Sequence, residues 1–286
     1  MFKTKTKITI LSAALVALLT LAGCGQTAQP PATPDVTIDK KTISAAGATA
    51  LQPLVQKAAD EFMKKHAEVQ VNISGGGSMT GLNNVASGAI DIGNSDVEVT
   101  PELQDKGLID HQVCVAPFLI IVNKDVTVDS LTKAQLTDIF TGKVTNWKDV
   151  GGSDQKISII GRAASSGTRA TIKKLVLDGA EFTSAAVAQD STGNLLTAVG
   201  QTPGAIGYID AAYLKDTVKA LKYNGVAYSP DNVISGQYPI YSYEHMYTKG
   251  DPTGTVKSFL EYIMSAEFQN TYVESQGFIP ISKMKK

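Results

Sequence analysis

Cysteine and histidine are scarce in this chain. Of its 286 residues two are cysteine, Cys24 and Cys114, and three are histidine, His66, His111 and His245. Two thiols cannot build a sulfur-ligated metal site, and the histidine spacing fits no metal pattern, so neither metal nor cofactor is expected. Each histidine reads as a surface or helix-end residue rather than a catalytic base. Excess charge is lacking too, with 26 Lys and Arg against 27 Asp and Glu. That balance leaves no basic footprint for nucleic acid, and any anion must be held by local dipoles rather than a global field. The glycines from Gly75 onward are not closed by Gly-Lys-Ser/Thr, so there is no Walker loop. A nucleophile elbow around Ser78 would need glycine at position 80, which is Thr80. With no nucleophile–base pair and no two-metal constellation visible, the chain reads as a non-enzyme.

A membrane span is also missing. The apolar run Ile8 to Ala22 falls short of the roughly 20 residues a spanning helix needs. It follows Lys3, Lys5 and Lys7 and ends in Leu21-Ala22-Gly23-Cys24, the layout of a secretory signal. The tetrapeptide resembles the lipobox of bacterial lipoproteins. That likeness implies a signal peptide over 1–23 and a diacylglycerol on Cys24. The membrane would then be reached through the lipid anchor only, at the outer, extracytoplasmic face of the cell membrane. Residues 24–38 are read as a lipid-anchored flexible tether, since Gln26 to Asp35 is rich in Pro, Ala and Thr. A lipidated Cys24 excludes a disulfide within the chain. Cys114, among Val113, Val115 and Phe118, reads as a buried small hydrophobe.

What is present is an alternation of short apolar runs and helical patterns. Leu51, Leu54, Val55, Ala58, Ala59 and Phe62 fall on one helical face, with Pro53 in the first turn where its missing N–H costs little. Val69 to Ile73 and Ala89 to Gly93 read as strands around a helix over about 78–87. Val113 to Val122 is nearly continuous apolar sequence, as in a fully buried strand. Helices are predicted over Asp129 to Phe140, Thr168 to Leu177 and Thr255 to Val273, and strands over Ile157 to Ile160, Ala205 to Ile209 and Tyr238 to Tyr247. This rhythm predicts an α/β fold with mostly parallel sheets. No internal repeat and no long dividing linker occurs.

Three turns share one chemistry. Ala46-Gly47-Ala48-Thr49-Ala50, Ser74-Gly75-Gly76-Gly77-Ser78 and Gly161-Arg162 through Ser165-Ser166-Gly167-Thr168 each place glycine and hydroxyls where a helix begins. A helix start exposes unpaired N–H groups and about half a positive charge, and glycine lets backbone approach a ligand closely. Any one of them is explained as well by ordinary capping. Three together, one carrying an arginine able to donate two parallel bonds, point to an oxyanion site. Asp91-Ile92-Gly93-Asn94-Ser95-Asp96 adds a carboxylate. Beside a bound anion a carboxylate repels unless the ligand brings a proton for it to accept. Hydrogen phosphate does so at neutral pH and sulfate does not.

At these residues the sequence resembles the substrate-binding lipoproteins of high-affinity phosphate ABC importers, a type II periplasmic-binding-protein family. The ordered set of Gly47-Ala48-Thr49, Ser74 to Ser78, Asp91 to Asp96, Ile139-Phe140-Thr141-Gly142 with Asn146-Trp147, Arg162 with Ser166-Gly167-Thr168, and Pro203 to Tyr208 carries the likeness along the whole chain after the signal. It implies a two-lobed fold with two crossovers at a hinge. Lobe I would comprise 39–118 and 238–286, and lobe II 119–237. It further implies a monomer that takes inorganic phosphate in the interlobe cleft and delivers it to a permease and its ATPase. Carried over by position, Thr49 gives hydroxyl and backbone contacts, Ala50 a backbone N–H, and Ser78 its hydroxyl and N–H. Asp96 accepts the phosphate proton, and Arg162, Ser166, Gly167 and Thr168 close from the other lobe. In two respects the sequence departs: the acid that usually follows the arginine is replaced by Ala163 and Ala164, and Ala50 stands where relatives carry an aromatic residue, which would leave one cleft wall more open. Two alternatives on the same fold stay open, a receptor for sulfate or molybdate and a surface adhesin.

Overall fold

The computed structural model describes residues 38–284. The expected signal segment 1–23, Cys24 and all of the tether but Ile38 lie outside these residues. Among the described residues no helix is long and apolar enough to cross a membrane.

The chain opens with β1 (Thr42–Gly47), α1 (Gln52–Lys65), β2 (Gln70–Ser74), α2 (Ser78–Ser87) and β3 (Ile92–Ser95). The sixteen-residue β4 (Leu108–Asn123) follows, then the short β5 (Ser130–Leu131), α3 (Lys133–Phe140), β6 (Ser158–Arg162), α4 (Gly167–Leu175), β7 (Val187–Gln189) and α5 (Thr192–Gln201). The last part holds β8 (Ala205–Asp210), β9 (Val218–Ala220), β10 (Lys222–Tyr223), α6 (Pro230–Ile234), β11 (Tyr241–Lys249) and α7 (Gly254–Met264). This is the two-lobed α/β fold expected of type II binding proteins.

One continuous path of strands runs β2-β1-β3-β11-β4-β8-β6-β7, with β9 also on β4. Pairing is parallel toward both ends, where helices return the chain, as the βαβ rhythm predicts. It is antiparallel around β4 and β11. These two strands carry the chain from one part of the sheet to the other and back, so they run in opposite directions side by side. Residues Leu108 to Pro117 of β4 pair with β11, and Phe118 to Asn123 pair with β8 and β9. β4 therefore belongs to both halves, and its run Val113 to Val122 is buried throughout. The return passes Tyr238 and Ile240, both wholly buried. The Tyr238 hydroxyl donates to the Phe118 carbonyl (2.9 Å), and Phe118 N–H donates to the Ile240 carbonyl (2.8 Å).

Helix α1 buries Leu54, Val55, Ala58, Ala59 and Phe62, as its spacing predicts; each large apolar side chain contributes about 1.5–3 kcal/mol. Helix α3 begins later than Asp129, because Thr132 and Gln135 close a capping box there and the preceding residues form β5. The last helical pattern is broken at Ser265, whose backbone is extended (ψ 150°) and whose hydroxyl caps a new turn at Phe268. β3 starts at Ile92 rather than Ala89, since Asp91 is held outside the strand by Ser44 and Lys40. His245 departs from the surface reading. It is buried on β11, stacked on Tyr247, with Nδ1 2.9 Å from Asp110. β11 lies between β3 and β4 and is buried from Glu244 through Thr248, so His245 is enclosed there and Asp110 meets its ring. Cys114 is wholly buried. Trp147 is structural: its indole N–H donates to the Gly204 carbonyl (2.9 Å) from a buried position.

Candidate functional site

The three glycine-and-hydroxyl turns meet. Thr49 lies in the turn three residues before α1, Ser78 is the first residue of α2, and Ser166 caps α4, accepting from Arg169 N–H (3.2 Å). Met79 N–H donates to the Ser165 carbonyl (3.0 Å), which ties the start of α2 to the turn before α4. Gly167 is required where it stands. A Cβ there would lie 2.2 Å from Ser78 Oγ and 2.9 Å from Asp96 Cβ. Gly77 is likewise fixed by its φ of 89° and by the Ser165 carbonyl, which a Cβ would meet at 2.6 Å. All eight residues singled out from the sequence (Thr49, Ala50, Ser78, Asp96, Arg162, Ser166, Gly167 and Thr168) are brought together and buried.

Part of their hydrogen-bonding capacity is unspent. Among the described residues the N–H groups of Ala50, Ser78, Gly167 and Thr168 have no backbone acceptor, as expected at helix starts. Ser78 Oγ accepts from Asp96 N–H (2.9 Å), which leaves its hydroxyl proton free to donate elsewhere. Thr168 Oγ1 donates to Asp96 Oδ2 (2.8 Å), whereas Asp96 Oδ1 has no donor. Burial pushes the Asp96 carboxyl up from its ordinary range, and Glu244, then Thr168 and the Arg162 charge, pull it back.

Arg162, at the end of β6, is held without a carboxylate. Nη1 donates to Thr192 Oγ1 (3.0 Å), and Nη2 to Thr49 Oγ1 (3.0 Å) and the Asp190 carbonyl (3.2 Å). Nε is buried without a partner. Neutral acceptors therefore do the orienting beside Ala163 and Ala164, and no carboxylate is bonded to the guanidinium. Burial lowers its pKa, while the nearby Asp96 charge raises it.

Several participants escaped the sequence reading. Thr192 begins α5, a fourth helix start at the site. Its N–H donates to Thr49 Oγ1 (3.2 Å), and its hydroxyl lies 3.0 Å from the same atom. Ser191-Thr192-Gly193 is one more hydroxyl-and-glycine turn and could have been found by the same pattern. Tyr213 donates from its hydroxyl to the Thr49 carbonyl (2.8 Å). Two further buried carboxyls, Asp210 and Glu244, lie close enough to Asp96 to feel its charge. Burial in the first place, and that charge in the second, push both well above the ordinary carboxylate range.

This buried cluster of donors, with one guanidinium and one carboxylate acceptor, suits a tetrahedral oxyanion that carries a proton. Comparison with known proteins agrees in kind. Residues 27–267 match the model of the PBP superfamily domain. The chain is 45% identical over 247 residues to the phosphate-binding protein PstS of Bacillus subtilis (strain 168), covering 85% of this chain and 82% of that one. A Clostridium perfringens crystal structure with bound phosphate, described as a substrate-binding protein of a phosphate ABC transporter, superposes with a TM-score of 0.81. It has 32% identity and covers 84% of this chain and 99% of that one. An ABC-type phosphate transport receptor from Vibrio cholerae gives 0.69 at 27% identity, over 83% and 99% of the two chains.

Proposed function

The chain belongs to the PBP superfamily, and we propose that within it the protein is an extracytoplasmic receptor that captures inorganic phosphate and delivers it to an ABC importer. The observation that carries the reading is Asp96. It is a buried carboxylate with an open acceptor oxygen, set among groups that can only donate to an anion. Phosphate that retains a proton satisfies it; a fully deprotonated tetrahedral anion sets a lone pair against it. The names of the relatives support phosphate over other oxyanions.

In this scheme Arg162 donates to the ligand from Nε and from the Nη1 proton that Thr192 leaves over. Ser78 and Ser166 offer hydroxyls, Ala50, Gly167 and Thr168 offer N–H groups, and Thr49 holds Arg162 in place while lending its own hydroxyl. Such a site binds and releases; nothing in it forms a bond to phosphorus. Lobe I comprises 39–118 and 238–286 and lobe II 119–237. The hinge lies where β4 exchanges partners after Pro117 and where the chain returns through Tyr238 and Ile240. Phosphate bridging both lobes favours the closed form. The protein acts as a monomer tethered to the outer face of the cell membrane by a lipid on Cys24.

Titration calorimetry of the purified protein with phosphate, sulfate and molybdate tests the reading. Tight binding of phosphate with the other two at least a hundredfold weaker is expected. Equal affinity for the three, or a preference for sulfate, would overturn it.

A further inference from the structure

Glu244 has no part in the scheme above, yet it is wholly buried beside the site. The antiparallel ladder that pairs His245 with Ser95 sets Glu244 opposite Asp96, one residue past the end of β3. On the other edge of β11 the register with β4 shifts between Glu244 and His245, an irregularity of the kind that re-aims a side chain. Ser242 donates to Glu244 Oε1 (2.8 Å), and Oε2 has no donor. Asp96 is arranged alike, with Thr168 on Oδ2 and no donor on Oδ1. Residues directly opposite in an antiparallel ladder have Cβ atoms about 4.5–5.5 Å apart, so two buried carboxyls, each with one unpartnered oxygen, stand side by side. Two buried carboxyls so placed do not both ionise, so one of them holds a proton.

The surroundings decide which. Around Glu244 stand Asp96 from the loop after β3, Asp210 from the end of β8 and Cys114 across β4. Glu98 and Lys174 line a cavity that Asp96 and Ser242 also border. His245 turns its Nδ1 to Asp110 instead. Arg162 is the cation whose charge acts on Asp96, and it does not act on Glu244. Asp96 also receives the Thr168 hydroxyl, whereas only Ser242 supports Glu244. The charge therefore settles on Asp96 and the proton on Glu244.

We propose that Glu244 is a positioning residue for ligand recognition: it keeps its proton, donates it to Asp96, and so holds Asp96 as a singly charged acceptor for the proton of a hydrogen-phosphate anion. This rests on the phosphate reading and adds a second carboxyl to it. With Glu244 neutral, the site offers a dianion one guanidinium and one carboxylate. Ionising Glu244 adds a second buried negative charge next to the first and expels the ligand. Burial and the Asp96 charge push the Glu244 carboxyl well above the ordinary range. A raised acid stays protonated below its shifted pKa, so binding is intact there and is lost as pH rises through it.

The test is phosphate affinity by calorimetry from neutral into alkaline pH, in wild type and Glu244→Gln, with sulfate at neutral pH as reference. Wild-type affinity should fall about tenfold per pH unit once Glu244 ionises. The glutamine can donate but cannot ionise, so its affinity should stay level over the same range. Superimposable profiles for the two proteins overturn the proposal. A wild type that fails to prefer phosphate over sulfate at neutral pH overturns the phosphate reading instead. Proton linkage reads the same group without a variant, by repeating the wild-type alkaline titration in two buffers of different ionisation enthalpy. Uptake approaching one proton per phosphate bound is expected, and no buffer dependence counts against Glu244 whether or not the glutamine variant folds.

Discussion

Replacing Gly167 by alanine separates closure from folding. Gly167 is the first residue of α4, and its φ lies outside the left-handed region, so alanine fits its backbone. Within a helix alanine is favoured over glycine by about 0.5–1 kcal/mol, and α4 itself should not suffer. The added methyl, however, falls 2.2 Å from Ser78 Oγ and 2.9 Å from both Ser78 Cβ and Asp96 Cβ. Ser78 cannot simply swing away, because its Oγ accepts from Asp96 N–H. Relief has to come from withdrawing the α4 turn, which stretches the Thr168–Asp96 bond (2.8 Å) and the Met79–Ser165 bond (3.0 Å). Overpacking of this kind costs roughly 1–3 kcal/mol, charged here to the closed state alone. At about 1.4 kcal/mol per decade, phosphate affinity should drop roughly five- to 150-fold. Calorimetry gives the affinity, thermal melting without ligand gives the fold, and small-angle scattering gives the contraction on adding phosphate. Gly193→Ala is the control, since its nearest neighbour would be Tyr213 Cε1 at 3.8 Å. If Gly167→Ala binds like wild type and contracts to the same radius, the α4 turn does not close on Ser78 and Asp96.

Three further outcomes follow from other parts of the site and the chain. Asp96→Asn keeps size, removes charge and lets an amide donor face the ligand. Sulfate should gain on phosphate by about 1.5–3 kcal/mol, roughly ten- to 150-fold, in a competition titration at fixed pH and ionic strength; unchanged discrimination would return Asp96 to a turn-capping role. Thr192→Val removes the acceptor for Arg162 Nη1 at nearly constant shape, leaving a buried donor unpaired. Affinity should fall by about 1–3 kcal/mol with little change in selectivity, and undiminished binding in a titration would show that Thr192 does not orient the guanidinium. Cys24→Ser should abolish fatty-acid incorporation in metabolic labelling, and label persisting in the variant would rule out Cys24 as the lipidated residue.

The parts of this molecule that were legible in its sequence are those written in local periodicity. The face of α1, the buried run of β4 and the helix starts at Thr49, Ser78 and Ser166 follow from spacing and composition over a few residues. α5 was not seen because Gly193 and Gly200 weaken its helical signal, and with it went Thr192. The break at Ser265 also stayed hidden, since a serine inside an apolar helical pattern announces a cap only once its hydroxyl has found Phe268 N–H. Glu244 and His245 were invisible for a different reason. Alternation on β11 says that one of two neighbours turns inward, but β11 lies between β3 and β4 inside the sheet and is buried from Glu244 through Thr248. Which partner each meets depends on pairing with β3 and β4, far away in the sequence.

Two of these features bear on one quantity, the charge of the site before ligand arrives. An acid beside the arginine would partly neutralise the guanidinium. Here Thr49, Thr192 and the Asp190 carbonyl orient it at no cost in charge. An ionised Glu244 would add a negative charge of its own, and with the proton placed as proposed it adds none. The remaining pair, Arg162 and Asp96, sums to zero, and the anion's charge is met by helix starts at α1, α2 and α4, each worth about half a positive charge. A site so balanced has little long-range pull on anions and discriminates only at contact, where Asp96 demands a proton. That is consistent with a chain whose acidic and basic residues nearly cancel. Selectivity in this architecture belongs to the closed state, which is why a methyl group at position 167 and a proton at position 244, neither of them on the ligand, are expected to govern it.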